Sequence, residues 1–137
     1  APEATVLLDA CRPPQEVAAI LEDGRVDVLK VNSLELCTLT DTGTGSGLRE
    51  GAVALEQLLA AAGKALTRYP GVSLLAVTDG PGSACAFRRD GRSLAFNLPR
   101  VVCRNAIGAG DTTAGAMLAA ICEGEILEDA FKTGFGA

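Results

Sequence analysis

The sequence contains no histidine and no tryptophan among its 137 residues. The absence of histidine excludes imidazole-based catalytic triads and dyads, and metal sites with histidine ligands. Any catalysis must therefore depend on carboxylates, backbone amides or a metal ion held by other groups. Aromatic residues make up only 4% of the chain, whereas hydrophobic residues make up 48%. The length and composition predict one domain with a core of alanine, leucine and valine.

A strong positive charge is also missing. The chain has 12 basic and 17 acidic residues, for a formal net charge of −5. The densest basic run, Arg88, Arg89 and Arg92, surrounds a turn-like Asp90-Gly91 pair and forms no stripe. Nucleic acid and anionic membranes are therefore not expected as partners. No apolar run is long enough for a membrane span.

Paired cysteines are missing too. The five cysteines are odd in number and widely spaced, with no C-x-x-C pair. This pattern argues against a zinc site or a disulfide framework and indicates buried thiols in a reducing, cytoplasmic compartment. The chain starts without methionine or a signal-like segment, and it stops without a helix cap after the apolar pattern that begins at Ile126. We therefore expect it to be cut at both ends.

Continuous apolar runs predict buried strands at residues 6–8, 26–31 and 74–77, and Asp90-Gly91 predicts a hairpin between 84–88 and 93–98. Helices are predicted from Pro14 to residue 21, over 34–39 with Ser33 as its start, and from about Asp111 and Leu127 onward. Residues 40–47 resemble a Gly/Thr/Ser linker. Strands that alternate with helices predict an α/β, Rossmann-like three-layer domain with a mostly parallel sheet.

A long amphipathic helix is predicted after the linker, over residues 48–69. Spacings of three and four define one apolar face, made of Leu48, Ala52, Leu55, Leu59, Ala62, Leu66 and Tyr69. Two alanines at seam positions and only three repeats favour a helix packed on a sheet over a coiled coil.

The sequence Gly108-Ala109-Gly110-Asp111 introduces a predicted helix. A helix start offers unpaired N–H groups and the positive end of the helix dipole, and small residues let an anion approach the backbone. The carboxylate of Asp111 fits an N-cap, a metal ligand or a base that accepts a proton from an attacking hydroxyl.

This stretch resembles the second signature of the PfkB carbohydrate kinases, the ribokinase-like family. The G-A-G-D core is followed by three free positions, the small pair Gly115-Ala116 and the apolar pair Met117-Leu118, as in that signature. The family carries D-T or D-S where this chain has Asn105-Ala106. In members that a monovalent cation activates, the carboxylate there is a ligand. Asn105 lacks that charge, so we expect no potassium dependence here.

Further stretches resemble the same family in the same order along the chain. Its K-P-N-x-x-E motif matches Lys30, Asn32 and Glu35, with valine in place of proline. Its T-x-G-x-x-G motif matches Thr78 and Gly80, while its second glycine is displaced to position 82. The stretch from Asp9 to Arg12 resembles a strand ending D-x-N-x-R, with Cys11 in place of asparagine and the arginine one position earlier.

The resemblance implies the later, ATP-binding and catalytic part of a kinase over residues 1–137, without the family's N-terminal substrate and lid region or its extreme C-terminus. It implies transfer of the γ-phosphoryl group of ATP, with Mg²⁺, to a hydroxyl of a sugar or sugar-like molecule. Asp111 is then the base, and the amides of residues 108–110 (Gly108, Ala109 and Gly110) bind the phosphoryl group. Asn32 and Glu35 order the metal, with no direct protein ligand assigned, and Thr78 and Gly80 line the nucleotide.

Two other functions stay open at the sequence level. The chain could be a non-catalytic core that self-associates as a homo-oligomer through uncovered apolar faces, and the isolated piece is expected to be inactive. The triplet Asp41-Thr42-Gly43 also occurs in aspartic proteases, which need two aspartates that share a proton, so this chain would have to dimerise. The helix predicted after residue 47 disfavours such a β-rich enzyme. Dinucleotide and P-loop fingerprints fail, because position 113 is threonine and Gly63-Lys64-Ala65 lies within a helix.

Overall fold

A computed structural model describes residues 4–43, 48–81, 83–100, 102 and 104–136. The predicted displaced glycine at position 82, half of the linker and one of the five cysteines lie outside these residues. The strands are β1 (Leu7–Asp9), β2 (Val28–Asn32), β3 (Leu74–Asp79), β4 (Ser83–Arg88) and β5 (Ser93–Asn97). The helices are α1 (Pro14–Glu22), α2 (Ser33–Leu39), α3 (Leu55–Arg68), α4 (Ala109–Cys122) and α5 (Leu127–Gly136).

The five strands form one sheet in the order β1-β2-β3-β4-β5. Strands β1, β2 and β3 pair in parallel, and β4 and β5 extend the sheet as an antiparallel hairpin. The carboxyl ends of the three parallel strands therefore meet at one edge, where Asp9 pairs with Lys30 and Asn32 pairs with Thr78. The α/β class and the hairpin at Asp90-Gly91 are confirmed.

Helices cover both faces of the sheet, so the domain has three layers. One hydrophobic cluster joins alternate residues of β2 and β3, including Leu29 and Leu75, to helices α1, α2 and α3. The opposite cluster joins Val28 and Leu74 to Met117 of α4 and Phe131 of α5. Because neighbouring strand residues point to opposite faces, continuously apolar strands supply both cores. Among the described residues, no helix is both long and apolar enough to cross a membrane.

The predicted start of the long helix at residue 48 is wrong, because α3 begins only at Leu55. Its predicted apolar face is confirmed at Ala62 and Tyr69, which are buried, and is wrong at Leu55 and Leu59. Leu55 and Leu59 are 60% and 48% exposed, whereas the side chains that bury against the sheet are Leu58, Ala61, Ala62 and Ala65. Small alanine side chains let α3 pack closely within this hydrophobic cluster, and Leu55 and Leu59 lie toward its solvent side.

The N-terminus of α2 also differs from its prediction. Asn32, rather than Ser33, is the N-cap: its Oδ1 accepts from the Glu35 amide, and Glu35 Oε2 accepts from the Asn32 amide. This reciprocal capping box satisfies two donors at the helix start. Ser33 instead lies fully buried as the first helical residue.

Candidate active site

The start of α4 lies beside the side chain of Lys30, a residue of β2. Gly108 is the N-cap with φ +83°, a left-handed conformation that favours glycine. A Cβ atom placed on Gly110 would lie 3.0 Å from Lys30 Nζ, so the backbone of α4 passes directly over the lysine ammonium. Gly110 therefore has no side chain at the point where the helix contacts the buried ammonium of Lys30.

The first amides of α4 are only partly used within the protein. The Ala109 amide donates to the Ala106 carbonyl, at 3.2 Å. The amides of Gly110 and Asp111 donate to no acceptor among the described residues. These free donors lie at the positive end of the helix dipole, where they favour an anion.

Asp111 is the third residue of α4 rather than its cap. The N-cap interpretation of Asp111 is therefore wrong, because the helix starts two residues earlier than predicted and no side chain caps it. The Asp111 side chain is exposed and makes neither a hydrogen bond nor an ion pair within the described part of the chain. A free carboxylate beside unpaired amides is chemically available to accept a proton.

Lys30 forms a buried ion pair that the sequence did not reveal. Its Nζ donates to both carboxylate oxygens of Asp9, at 3.0 and 2.9 Å, and its side chain is 7% exposed. A cation next to the N-terminus of a helix is electrostatically unfavourable, since that end already carries partial positive charge. Asp9 offsets this cost in part, and a bound anion near Gly110 would offset it further.

Asn32 and Glu35 lie at the edge of the sheet, where the side chain of each accepts a hydrogen bond from the backbone amide of the other. Burial raises the pKa of Glu35, the negative charges of Asp9 and Glu50 raise it further, and the Asn32 amide and Lys30 act in the opposite direction. The second carboxylate oxygen of Glu35 and the amide nitrogen of the Asn32 side chain have no partner among the described residues. Both groups thus retain capacity for a ligand.

A cavity of about 310 Å³ opens beside this capping box, between α1 and α2. Its polar lining includes Arg12, Asn32, Glu35 and Thr38, and neither Asp111 nor Thr78 contributes to it. The structure therefore brings Asn32 and Glu35 together with Arg12, and separately brings Gly110 together with Lys30. Both places belong to the same carboxyl edge of the sheet.

Thr78 lies near the end of β3, and Gly80 is the first residue after that strand. Thr78 is half-buried and pairs in register with Asn32, so these two predicted residues are direct neighbours. Gly80 turns the chain with φ +58°, and its amide donates to Glu50 Oε1 at 3.2 Å. The Gly80 amide is therefore occupied, which leaves its carbonyl and Cα to line a ligand.

The residues that sequence reasoning missed lie around this turn. Asp79 is 7% exposed and accepts hydrogen bonds from Ser33 and from the Gly51 amide. A buried aspartate between Thr78 and Gly80 could have been noticed as a charged residue at the end of an apolar strand. Its partners Gly51 and Ser33 could not have been predicted, because they lie 28 and 46 positions away from it in sequence.

The structure contradicts the aspartic protease alternative. Asp41 lies exposed just after α2, in a left-handed conformation with φ +49°, and the fold is α/β. No cluster of three or more histidine, cysteine, aspartate or glutamate side chains suited to a metal occurs in the part of the chain that the structure describes.

Several solved structures that superpose on this chain are named as kinases. Ribokinase of Arabidopsis thaliana, complexed with ribose and ATP, superposes with a TM-score of 0.77 at 24% identity. Phosphofructokinase-2 of Escherichia coli, in complex with substrates and products, gives 0.77 at 23% identity, and an ADP complex of pyridoxal kinase from Bacillus subtilis gives 0.75 at 16%. The matches cover 98%, 97% and 95% of this chain but only 40%, 39% and 50% of those proteins.

A comparison with curated protein sequences gives no match. The sequence profile described as pfkB family carbohydrate kinase, in contrast, matches residues 3–137. That span covers almost the whole chain, including all the motifs at the carboxyl edge of the sheet. The chain therefore belongs to the pfkB family of carbohydrate kinases and has the ribokinase-like α/β fold.

Proposed function

We propose that the protein supplies the ATP-binding and catalytic part of a kinase that phosphorylates a hydroxyl of a sugar or sugar-like molecule. Family membership supports phosphoryl transfer to a carbohydrate. The ribokinase neighbour, which binds ribose and ATP, supports the choice of ATP as donor. This chain spans about two fifths of that neighbour's length, and the proposal names no particular sugar.

The observation that carries the proposal is the start of α4. Free amides of Gly110 and Asp111, the ammonium of Lys30 and the free carboxylate of Asp111 converge there. Asp111 accepts the proton of the attacking hydroxyl, whose oxygen then bonds to the γ-phosphorus while the bond to the ADP oxygen breaks. The amides and Lys30 stabilise the negative charge that spreads over the transferring phosphoryl oxygens.

The residues of this edge suit Mg²⁺ bound mainly by phosphates and water. Magnesium prefers oxygen ligands and usually keeps several waters, so it needs only one or two protein groups. The free oxygen of Glu35 offers such a group, while both oxygens of Asp9 are engaged by Lys30. When bound, the ion neutralises charge on the phosphates. Glu35 and Asn32 orient its water shell.

Replacement of Asp111 by asparagine in the complete natural chain tests the proposal. We expect Asp111→Asn to lower kcat by about 10²-fold or more, the range of general-base losses, with little change in the Kd for ATP. The matched control is Asp129→Asn, which makes the same change in the first turn of α5. Near-normal turnover of the Asp111 variant in a coupled ADP assay would contradict the assignment.

Self-association of the chain remains a second prediction. The observation that favours it is the set of large apolar side chains left exposed, which includes Leu55, Ile107, Leu118 and Ile126. Phosphofructokinase-2 of Escherichia coli has a tetrameric inhibited form. Size-exclusion chromatography of the purified chain at several concentrations measures this property.

A further inference from the structure

Two hydrogen bonds join the loop before α3 to the turn at the carboxyl end of β3. The Gly51 amide donates to Asp79 Oδ1 at 2.7 Å, and the Gly80 amide donates to Glu50 Oε1 at 3.2 Å. Each acidic side chain thus accepts the amide of the glycine that follows the other acid. We call these four residues, Glu50, Gly51, Asp79 and Gly80, the two-loop latch.

The latch is anchored in the core through Asp79. The same Oδ1 atom also accepts from the hydroxyl of Ser33, which is fully buried at the start of α2. A charged acceptor with two donors is a strong arrangement, and it becomes costly if either donor is lost. Asp79 therefore ties three segments together: the first turn of α2, the loop before α3 and the turn after β3.

Glycine is favoured on both sides of the latch. Gly51 and Gly80 have φ values of +84° and +58°, in the left-handed region. A Cβ atom on Gly80 would lie 3.5 Å from Glu50 Cγ, and one on Gly51 would lie 3.8 Å from the Asp79 carbonyl oxygen. An added Cβ would thus fit at both positions, and it is the left-handed backbone that favours glycine there. The latch also explains why residues 48–54 do not join α3, since their polar groups bond to the turn after β3 instead.

We propose that Asp79 and Glu50 are positioning residues for the adenine nucleotide. This inference rests on the proposed function and on the resemblance to the family, which implies that Thr78 and Gly80 line the nucleotide. The latch holds Gly80 in its left-handed turn and keeps the neighbouring Thr78 in register with Asn32. A loop fixed before binding loses less conformational freedom when the nucleotide arrives, which increases affinity without any direct contact from Asp79 or Glu50.

Variants of the latch in the complete natural chain test this inference. We expect Glu50→Ala and Asp79→Ala each to raise the KM for ATP about tenfold, with the KM for the sugar unchanged and kcat reduced less than the KM rises. Asp79→Asn keeps an acceptor oxygen for Gly51 and Ser33, so it should restore most of the affinity. The control is Glu56→Ala, which removes an exposed acid of the first turn of α3.

Hydrogen exchange of the Gly51 and Gly80 amides, followed by NMR on the same samples, provides the second measurement. The proposal expects slow exchange in the unaltered protein and faster exchange of Gly80 in Glu50→Ala, where burial of the core is untouched. Faster exchange with an unchanged KM for ATP overturns the positioning role and leaves the proposed function in place. Unchanged exchange overturns the latch itself. If the unaltered complete chain transfers no phosphoryl group from ATP, both the proposed function and the nucleotide role of the latch are wrong.

Discussion

Gly134 lies at the closest approach of α5 to α4, and replacing it by alanine tests whether these helices are packed as described. A Cβ atom at this position would lie 2.4 Å from Met117 Cγ, 2.9 Å from the Thr113 carbonyl oxygen and 3.3 Å from Thr113 Cγ2. Non-bonded carbon atoms prefer about 3.5–4.0 Å. The flexible methionine can swing away, but the carbonyl oxygen belongs to the backbone of α4 and cannot. The helices must therefore separate.

The magnitude follows from two opposing effects. Overpacking of a tight contact costs about 1–3 kcal/mol. Alanine in place of glycine within a helix gains about 0.5–1 kcal/mol. We expect Gly134→Ala to lower the free energy of unfolding by about 1 kcal/mol. Gly63→Ala in α3 is the matched control, because nothing lies within 4 Å of its added Cβ, and it should stabilise the protein by about 0.5–1 kcal/mol.

Urea unfolding at 25 °C measures the free energy of unfolding of both variants. Because both substitutions gain the helix propensity of alanine, most of that gain cancels when the two values are subtracted. That difference should be about 1–3 kcal/mol, with Gly134→Ala the less stable. Because Thr113 follows Asp111 by two positions on α4, the Gly134 variant should also move the proposed base. Equal stabilisation by the two substitutions would refute the close contact between α4 and α5.

Two further predictions concern buried polar groups. The raised pKa of Glu35 means that the folded protein keeps a proton which the unfolded chain has released, so the free energy of unfolding falls as pH rises above 4.5 through the folded-state pKa. Glu35→Gln, which keeps an acceptor for the Asn32 amide, should be more stable than the unaltered protein near pH 7. That advantage should shrink toward pH 4.5 in urea unfolding across a pH series, and a pH-independent difference would contradict the cause given for the shift. Tyr69 is fully buried, and its hydroxyl has no partner among the described residues. We therefore expect Tyr69→Phe to leave the free energy of unfolding unchanged or to raise it by about 1 kcal/mol. A clear loss of stability in the same assay would show that the hydroxyl has a partner.

Local sequence patterns predicted most of the elements correctly. The apolar runs located β1, β2 and β3 to within a few residues, and Pro14 located the start of α1. Asp90-Gly91 located the hairpin of β4 and β5. These features depend on neighbouring residues and on turn chemistry, which a single sequence contains in full.

Long-range hydrogen bonds account for the main errors of the predictions made from the sequence. Residues 48–54 have a helical spacing, but the bonds from Gly51 to Asp79 and from Gly80 to Glu50 hold them in a different conformation. The role of Lys30 was likewise invisible, because its partner Asp9 lies 21 positions away. Tertiary contacts of this kind override local propensity and cannot be read from spacing.

Two electrostatically unfavourable groups lie at one edge of the sheet. Lys30 is buried beside the positive end of α4, and burial disfavours the ionised form of Glu35. Asp79, equally buried, is satisfied by Ser33 and Gly51 and therefore contributes to the fold. A chain selected for stability alone would have no reason to keep the first two groups, since apolar residues fill such positions at lower cost. Lys30 lies on β2 beside the start of α4, and Glu35 lies in the first turn of α2 that follows this strand. This placement supports the proposed phosphate-binding site, because a core gains nothing from it.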